Sequence, residues 1–205
     1  MIDPARYPLT AHYLASLPNG LASYPECLVK SDAHDGLRDG FPQIAEDLGL
    51  PTVVRQFFRG EYHDEWMPET LGSTVVHLVR DACFADDHTH YDWCYQNNGK
   101  LFKKPHYRVL MALLSPTLLL TNAAKRWATM HQGSTLVAQP VRRTDTQLCC
   151  TTLLHYPSGM FDELDLRNIA SGYRAALDCS RAKNPATEIH RRNDGDAEIM
   201  VTWDN

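Results

Sequence analysis

Apolar residues recur at helical spacing through the first two-thirds of the chain. Leu71, Val75 and Leu78 fall on one face of a helix that Pro68 opens. Elsewhere prolines mark the first turns of helices and glycines follow the last turns, and Ser115 is suited to cap a helix that starts at Pro116. The pattern predicts helices over residues 9–17, 39–49, 51–60, 68–85, 90–101, 107–114 and 116–133.

The spacing of apolar residues changes after Gly133. Residues 134–143 and 146–156 read as two strands, and residues 184–192 and 196–203 as two more, the latter pair flanking an Asn-Asp-Gly hairpin sequence. Residues 162–182 between the pairs predict one long helix. The apolar face of this helix consists of Leu166, Ile169, Ala170, Tyr173 and Leu177.

These elements predict the α+β class, in which helices are segregated from an antiparallel sheet. We expect an irregular N-terminal arm over residues 1–40 and a helical lobe over residues 41–133. A lobe of sheet plus helix over residues 134–205 follows, as part of the same compact domain. The sheet of this lobe is predicted to have four antiparallel strands in the order β-β-α-β-β, with the long helix crossing it.

Composition narrows the classes of function. The net charge of −5 and the pI near 6 argue against a nucleic-acid binder, which needs a basic excess. The most apolar stretch, residues 109–120, is broken by Ser115 and Pro116, so no membrane span is predicted. No secretory signal opens the sequence, and the six cysteines form no C-x-x-C pair. This combination predicts a cytoplasmic protein with reduced thiols.

The polar run from Asp86 to Asp92 is the most conspicuous group of candidate metal ligands. In an extended segment, His88 and His90 would point to one face and could share a metal ion. A carboxylate of Asp86 or Asp92 would suit iron or zinc as a third ligand. The alternative interpretation is a solvated loop between two helices.

The C-terminal third carries a resemblance to a known family. The residues are the run from Leu153 to Ser158, the Ala-Ser-Gly-Tyr sequence of residues 170–173 in the following helix, and the final Thr202-Trp203. This order resembles the tail of haem nitric-oxide/oxygen-binding domains, and also an uncharacterised myxobacterial paralogous family of similar length. The resemblance extends over about residues 105–203 and implies the same overall plan of a helical lobe followed by a sheet.

One position departs from the haem-binding pattern. The family holds the haem propionates with a Tyr-x-Ser-x-Arg motif, and this chain keeps Tyr156 and Ser158 but has Met160 in place of the arginine. A thioether cannot pair with a propionate carboxylate as a guanidinium does. The resemblance therefore implies a haem-free relative, and no cofactor is predicted.

We expect the helical lobe and the sheet to meet along an apolar seam of methionine and aromatic residues. Such a seam can admit a ligand, although the same side chains can also close into a solid core. The residues predicted to line the pocket are Trp127, Met130, His131, Leu154, Tyr156 and Tyr173.

The sequence contains no recognisable catalytic set. No Gly-x-Ser-x-Gly elbow occurs, and Cys149 and Cys150 point to opposite faces of a predicted strand. We therefore expect a non-enzymatic sensory or interaction module that binds a small apolar ligand or a protein partner, without nucleic acid or membrane, and that is compatible with a homodimer. The alternatives are a metal- or haem-binding sensor that uses pocket or loop histidines, and a hydrolase or transferase with a site assembled from distant residues.

Overall fold

The computed structural model describes residues 2–103 and 114–204, and its elements group into two compact units. Residues 1–90 and 130–133 form the first unit, and residues 91–129 and 134–205 form the second. The predicted helix over residues 107–114 falls outside the described residues, except for its last position. No helix among the described residues is long and apolar enough to cross a membrane.

The first unit combines short helices with a small antiparallel sheet. Its helices are α1 (Pro8–Ser16), α2 (Asp35–Gly40), α3 (Thr52–Phe58) and α4 (Glu69–Cys83), with 3₁₀ helices at Gly20–Ala22, Ser31–His34 and Pro42–Glu46. Its strands are β1 (Leu28–Lys30), β2 (Trp66–Pro68) and β3 (His131–Gln132). β1 is the central strand, and its Val29 is paired with Met67 on one side and with His131 on the other. The sequence analysis missed this sheet because strands of two or three residues are too short to show alternation.

Helix α4 forms the centre of the first unit. All residues from Glu69 to Val79 are buried, so the helix is enclosed on every side rather than along one stripe. Pro68 precedes it as the N-cap, as the sequence predicts. The only acidic residue of its first turn, Glu69, lies where the helix dipole favours a negative charge.

Helix α5 (Asp87–Phe102) begins inside the segment that the sequence presents as a loop. Asp86 makes this start possible, because its Oδ1 accepts the backbone N–H of Thr89 at 2.8 Å and its carbonyl accepts that of His90. The premise of an extended Asp86–Asp92 segment is therefore wrong. The run of Asp, His and Thr residues is a capped first turn.

Besides residues 91–102 of α5, the described part of the second unit contains two helices before its sheet and one that packs on it. The helices are α6 (Pro116–Thr121), α7 (Ala123–Met130) and α8 (Glu163–Cys179). The strands are β4 (Thr135–Ala138), β5 (Arg142–Arg143), β6 (Gln147–His155), β7 (Lys183–Asn193) and β8 (Asp196–Asp204). Ser115 caps α6 by accepting the N–H of Leu118, as predicted.

The α+β class is confirmed, but among the described residues the second sheet has five strands and not four. Its order is β4-β6-β8-β7, and β5 pairs with β6. The predicted strand over residues 134–143 is divided in two at Pro140. Proline has no N–H to donate to a neighbouring strand, so pairing stops after Gln139, whose N–H still reaches the Thr151 carbonyl at 2.8 Å.

Helix α8 packs on this sheet through the predicted apolar face. Asp162 caps the helix through a capping box with Asp165. The shared core includes Leu177 of α8 and Ile199 of β8, with Ile169 and Tyr173 partly buried against it. Leu119 and Leu120 of α6 belong to the same core, and for this reason residues 91–129 group with the sheet, whereas the predicted lobe boundary lies at residue 133.

Candidate functional site

The residues predicted to line the pocket are distributed over both units. Trp127, Leu154, Tyr156 and Tyr173 lie in the second unit, and Met130 and His131 lie in the first.

Three of the four residues in the second unit are related through strand β6. Leu154 is fully buried on the face of β6 that also carries Thr152, and Tyr173 of α8 hydrogen-bonds to Thr152. Burial raises the pKa of Tyr173. Tyr156 follows the end of β6, and its ring lies 5.0 Å from the ring of Phe161.

Trp127 is held near the same end of β6. Its Nε1 donates to Ser134 Oγ at 3.1 Å, immediately before β4 begins. In the β4–β6 register, Thr135 lies opposite His155 and Leu136 opposite Leu154. The tryptophan is therefore anchored beside the strand ends that carry Leu154 and precede Tyr156.

The Tyr-x-Ser-x-Met segment follows directly after β6. Its backbone is fixed to the hairpin tip, because Tyr156 N–H donates to the Gly195 carbonyl at 2.9 Å and Gly159 N–H to the Asp194 carbonyl at 2.7 Å. Met160 is completely buried, with no exposed surface. The segment thus presents an enclosed thioether where a propionate clamp would need an exposed guanidinium, so these residues do not fit a haem propionate.

In the first unit, the partly buried His131 pairs with the buried Glu69. The Nδ1 atom of His131 lies 2.5 Å from Glu69 Oε1, and the Glu69 side chain is almost fully buried. The pair joins the edge strand β3 to the first turn of α4. A carboxylate on one ring nitrogen fixes the orientation of an imidazole, as is typical of histidines that bind a metal or move a proton.

A second histidine lies close to this pair. The Nδ1 atom of His34 is shielded from solvent, and its ring rests on Gly72, where a Cβ would come within 3.0 Å of His34 Nε2. Burial lowers the pKa of His34 to about 4 and the charge of His131 acts in the same direction, against a smaller effect of the Lys30 backbone. His34 is therefore neutral at pH 7.

His131 was predicted from the sequence, whereas Glu69 and His34 were not. The position of Glu69 directly after a helix-opening proline was visible in the sequence. Its pairing with a residue in strand β3, far along the chain, was not.

The predicted pair of metal ligands does not share a face. On helix α5, side chains two residues apart point in different directions, so His88 is exposed while His90 is buried. The His90 ring packs edge-on against Phe84 at 5.2 Å, and burial lowers its pKa to about 4. Metal binding by these residues remains a prediction, without the geometry on which it was based.

Comparison with known proteins shows similarity in fold. No protein-family model matches the chain, and no curated protein gives a significant match. A solved structure described as "Modulating Heme Redox Potential Through Protein-Induced Porphyrin Distortion" has a TM-score of 0.52 and 9% identity, over 86% of this chain and 99% of the other. A mutant structure of T. Tengcongensis H-NOX has a TM-score of 0.48 and 8% identity, over 97% and 96%. The distant resemblance to haem nitric-oxide/oxygen-binding domains is thus confirmed at the level of fold.

Proposed function

We propose that this chain is a non-enzymatic sensory module that binds a small, mostly apolar ligand in its second unit. The observation that carries the proposal is the shared fold with a protein that distorts a porphyrin, across 99% of that protein's length. A fold does not determine a function, so the ligand class must come from the residues of this chain.

The residues of the second unit favour an apolar ligand other than haem. Leu154 and Tyr173 supply apolar surface around Thr152 on β6, and Trp127 adds a large ring beside the same strand. Such a site would offer a mainly apolar lining with a few hydroxyl groups, the composition usual for small-molecule pockets. Met160 in place of the arginine removes the partner of a haem carboxylate.

Indole is a suitable probe of this site because it is small, apolar and aromatic. Titration of indole into ¹⁵N-labelled protein should give saturable shifts of the backbone amides of residues 152–156 and 173. Leu154→Phe, which enlarges the side chain at the proposed site, should abolish these shifts. The matched control is Leu148→Phe, which enlarges a partly buried leucine at the other end of β6 and should leave them unchanged.

Two results would contradict the proposal. Shifts scattered over the molecule, or shifts that persist in Leu154→Phe, would show that indole has no site at β6. In a parallel titration with haem, we expect no stoichiometric Soret band. Such a band would contradict the prediction that the protein is haem-free and favour the alternative of a haem-binding sensor.

A further inference from the structure

A groove on the first unit has a composition distinct from the apolar site proposed above. It lies between the segment before α1, the 3₁₀ helix Pro42–Glu46 with the turn after it, and the end of α4. Its volume is about 330 Å³, at the lower end of the range for small-molecule pockets. The lining includes Arg6, Tyr7, Ile44, Glu46, Asp47 and Leu48.

One wall of the groove is a fixed anion. Asp47 Oδ2 accepts the Tyr7 hydroxyl at 2.7 Å, and its Oδ1 accepts the Gly49 N–H at 2.9 Å. These hydrogen bonds lower the pKa of Asp47, so that the carboxylate is ionised at neutral pH. Burial and the bond to Asp47 raise the pKa of Tyr7 to about 12, so the phenol remains a donor. Glu46 adds a second carboxylate at the rim.

The other wall is apolar and open to solvent. Leu48 is 78% exposed, the largest value among the exposed large hydrophobic residues that the structure describes. Ile44 lies buried behind it, and Ala82 borders the groove from α4. An exposed leucine side chain beside a concave surface offers apolar area that a ligand with an apolar body would remove from water.

A side chain of the protein already shows what the groove attracts. The guanidinium of Arg6 pairs with Asp47 Oδ2 at 2.6 Å and lies 5.1 Å from the centre of the Tyr7 ring. A cation set against a carboxylate and an aromatic ring is the usual arrangement for recognition of organic cations. The Arg6 side chain is 61% exposed, and surface ion pairs of this kind contribute little stability, so its displacement costs little.

We propose that this groove is a binding site for a small alkylammonium ion, with the ammonium on Asp47 and Tyr7, the alkyl chain against Leu48, and Arg6 as the internal cation that the ligand displaces. The chemistry favours a cation over an anion because the groove holds two carboxylates and one arginine. The inference is independent of the ligand site in the second unit.

Three probes with the same six-carbon chain test the charge requirement. Hexylamine hydrochloride, hexan-1-ol and sodium hexanoate are each titrated into ¹⁵N-labelled full-length protein at pH 7, and the amide shifts of Leu48 and Gly49 are followed. Hexylamine should bind saturably, hexan-1-ol about tenfold more weakly, and hexanoate not at all. Equal affinity for amine and alcohol, or preference for hexanoate, would overturn the proposal.

Variants test the role of each wall. Asp47→Asn should weaken hexylamine binding at least about tenfold, and Leu48→Ser should weaken it several-fold. Arg6→Ala should tighten binding because it removes the competing cation, whereas the exposed Arg59→Ala serves as the matched control and should have no effect. Unchanged or weaker binding in Arg6→Ala would overturn the displacement model. If Asp47→Asn does not fold, the test rests on Glu46→Gln and Leu48→Ser. Full affinity for hexylamine in both of these variants would refute the site.

Discussion

A single side chain, Met160, separates the motif of this chain from that of the haem-binding domains that it resembles. Because Met160 is completely buried, an arginine there would place an unpaired charge in the interior. We expect Met160→Arg to lower the free energy of unfolding by about 3 kcal/mol or more, and Met160→Leu by less than about 1.5 kcal/mol. Urea unfolding of both variants checks this, and equal stability of the two would mean that the site is open to solvent.

The buried histidines predict how stability depends on pH. The pKa of His34 and of His90 is about 4 in the folded protein, against 6.5 without burial. The unfolded chain therefore binds more protons between these values, so folding is favoured fully above pH 6.5 and stability is lost as the pH falls towards 4. Each histidine can account for about 2–3 kcal/mol over this range.

Urea unfolding between pH 4 and 7.5 measures this dependence. His34→Gln should remove about half of this dependence, because its side chain stays neutral throughout while His90 still titrates, whatever the change in absolute stability. His12→Gln, at an exposed position, is the matched control and should retain the wild-type slope. An undiminished wild-type slope in His34→Gln would place the acid sensitivity elsewhere.

At the level of residues, the sequence indicated which side chains are buried better than it indicated which residues contact one another. Leu154 and Trp127 were expected along an apolar seam that could admit a ligand or close into a core, and both are buried. The pair of His131 and Glu69 depends on a strand contact across half the chain, and no local pattern encodes such a contact.

At the level of elements, Gly133 and Gly159 both have left-handed backbone, but only Gly133 is crowded by neighbouring atoms. Alanine substitutions at the two positions therefore distinguish the cost of backbone strain from the cost of crowding. Gly133 (φ +76°) follows β3, and a Cβ there would lie 2.5 Å from Cys27 Sγ and 2.8 Å from Cys27 Cα. Gly159 (φ +80°) follows β6 and has open space around the same position. Gly159→Ala should cost about 1 kcal/mol from backbone strain alone. Gly133→Ala should cost about 3 kcal/mol, since overpacking against Cys27, the residue before β1, is added.

Thermal unfolding of the two alanine variants checks the comparison. The difference between them is the informative quantity, because the backbone strain is nearly the same in both. Equal losses would show that β3 can move away from Cys27 without cost.

Elements whose start is marked by a clear local signal were predictable from the sequence. Elements in which a local signal opposes the surrounding sequence pattern were not. Ser115 and Pro116 start a helix in the sequence and in the structure. Pro140 breaks a strand whose alternation continues past it, and Asp86 starts a helix in a run that resembles a loop. The strand ends because Pro140 cannot donate a backbone hydrogen bond, and the helix starts because Asp86 accepts one. In both cases the single hydrogen bond had more influence than the surrounding sequence pattern.

At the level of the whole molecule, the second unit needs helix α6 as well as its sheet. A fragment of residues 134–205 lacks Leu119 and Leu120, which belong to the sheet core, whereas a fragment of residues 91–205 keeps them. We expect a dispersed amide spectrum from the longer fragment and a collapsed one from the shorter. In the full chain, Leu120→Ala should cost about 2–5 kcal/mol and the half-exposed Leu118→Ala much less. Dispersion in the shorter fragment would restore the boundary at residue 133.

The chain returns to the first unit at β3. This return determines when each unit can finish folding during synthesis on the ribosome. Domains usually fold from the N-terminus as they emerge, but β1 pairs with β3 as well as with β2. A nascent chain whose α4 has emerged from the ribosome therefore keeps one edge of β1 unpaired until residues 131 and 132 have emerged as well. By then residues 91–129 of the second unit have also left the tunnel. The first unit waits for β3, and the second unit waits for the residues after β3. Neither unit can therefore finish folding as an early, independent step.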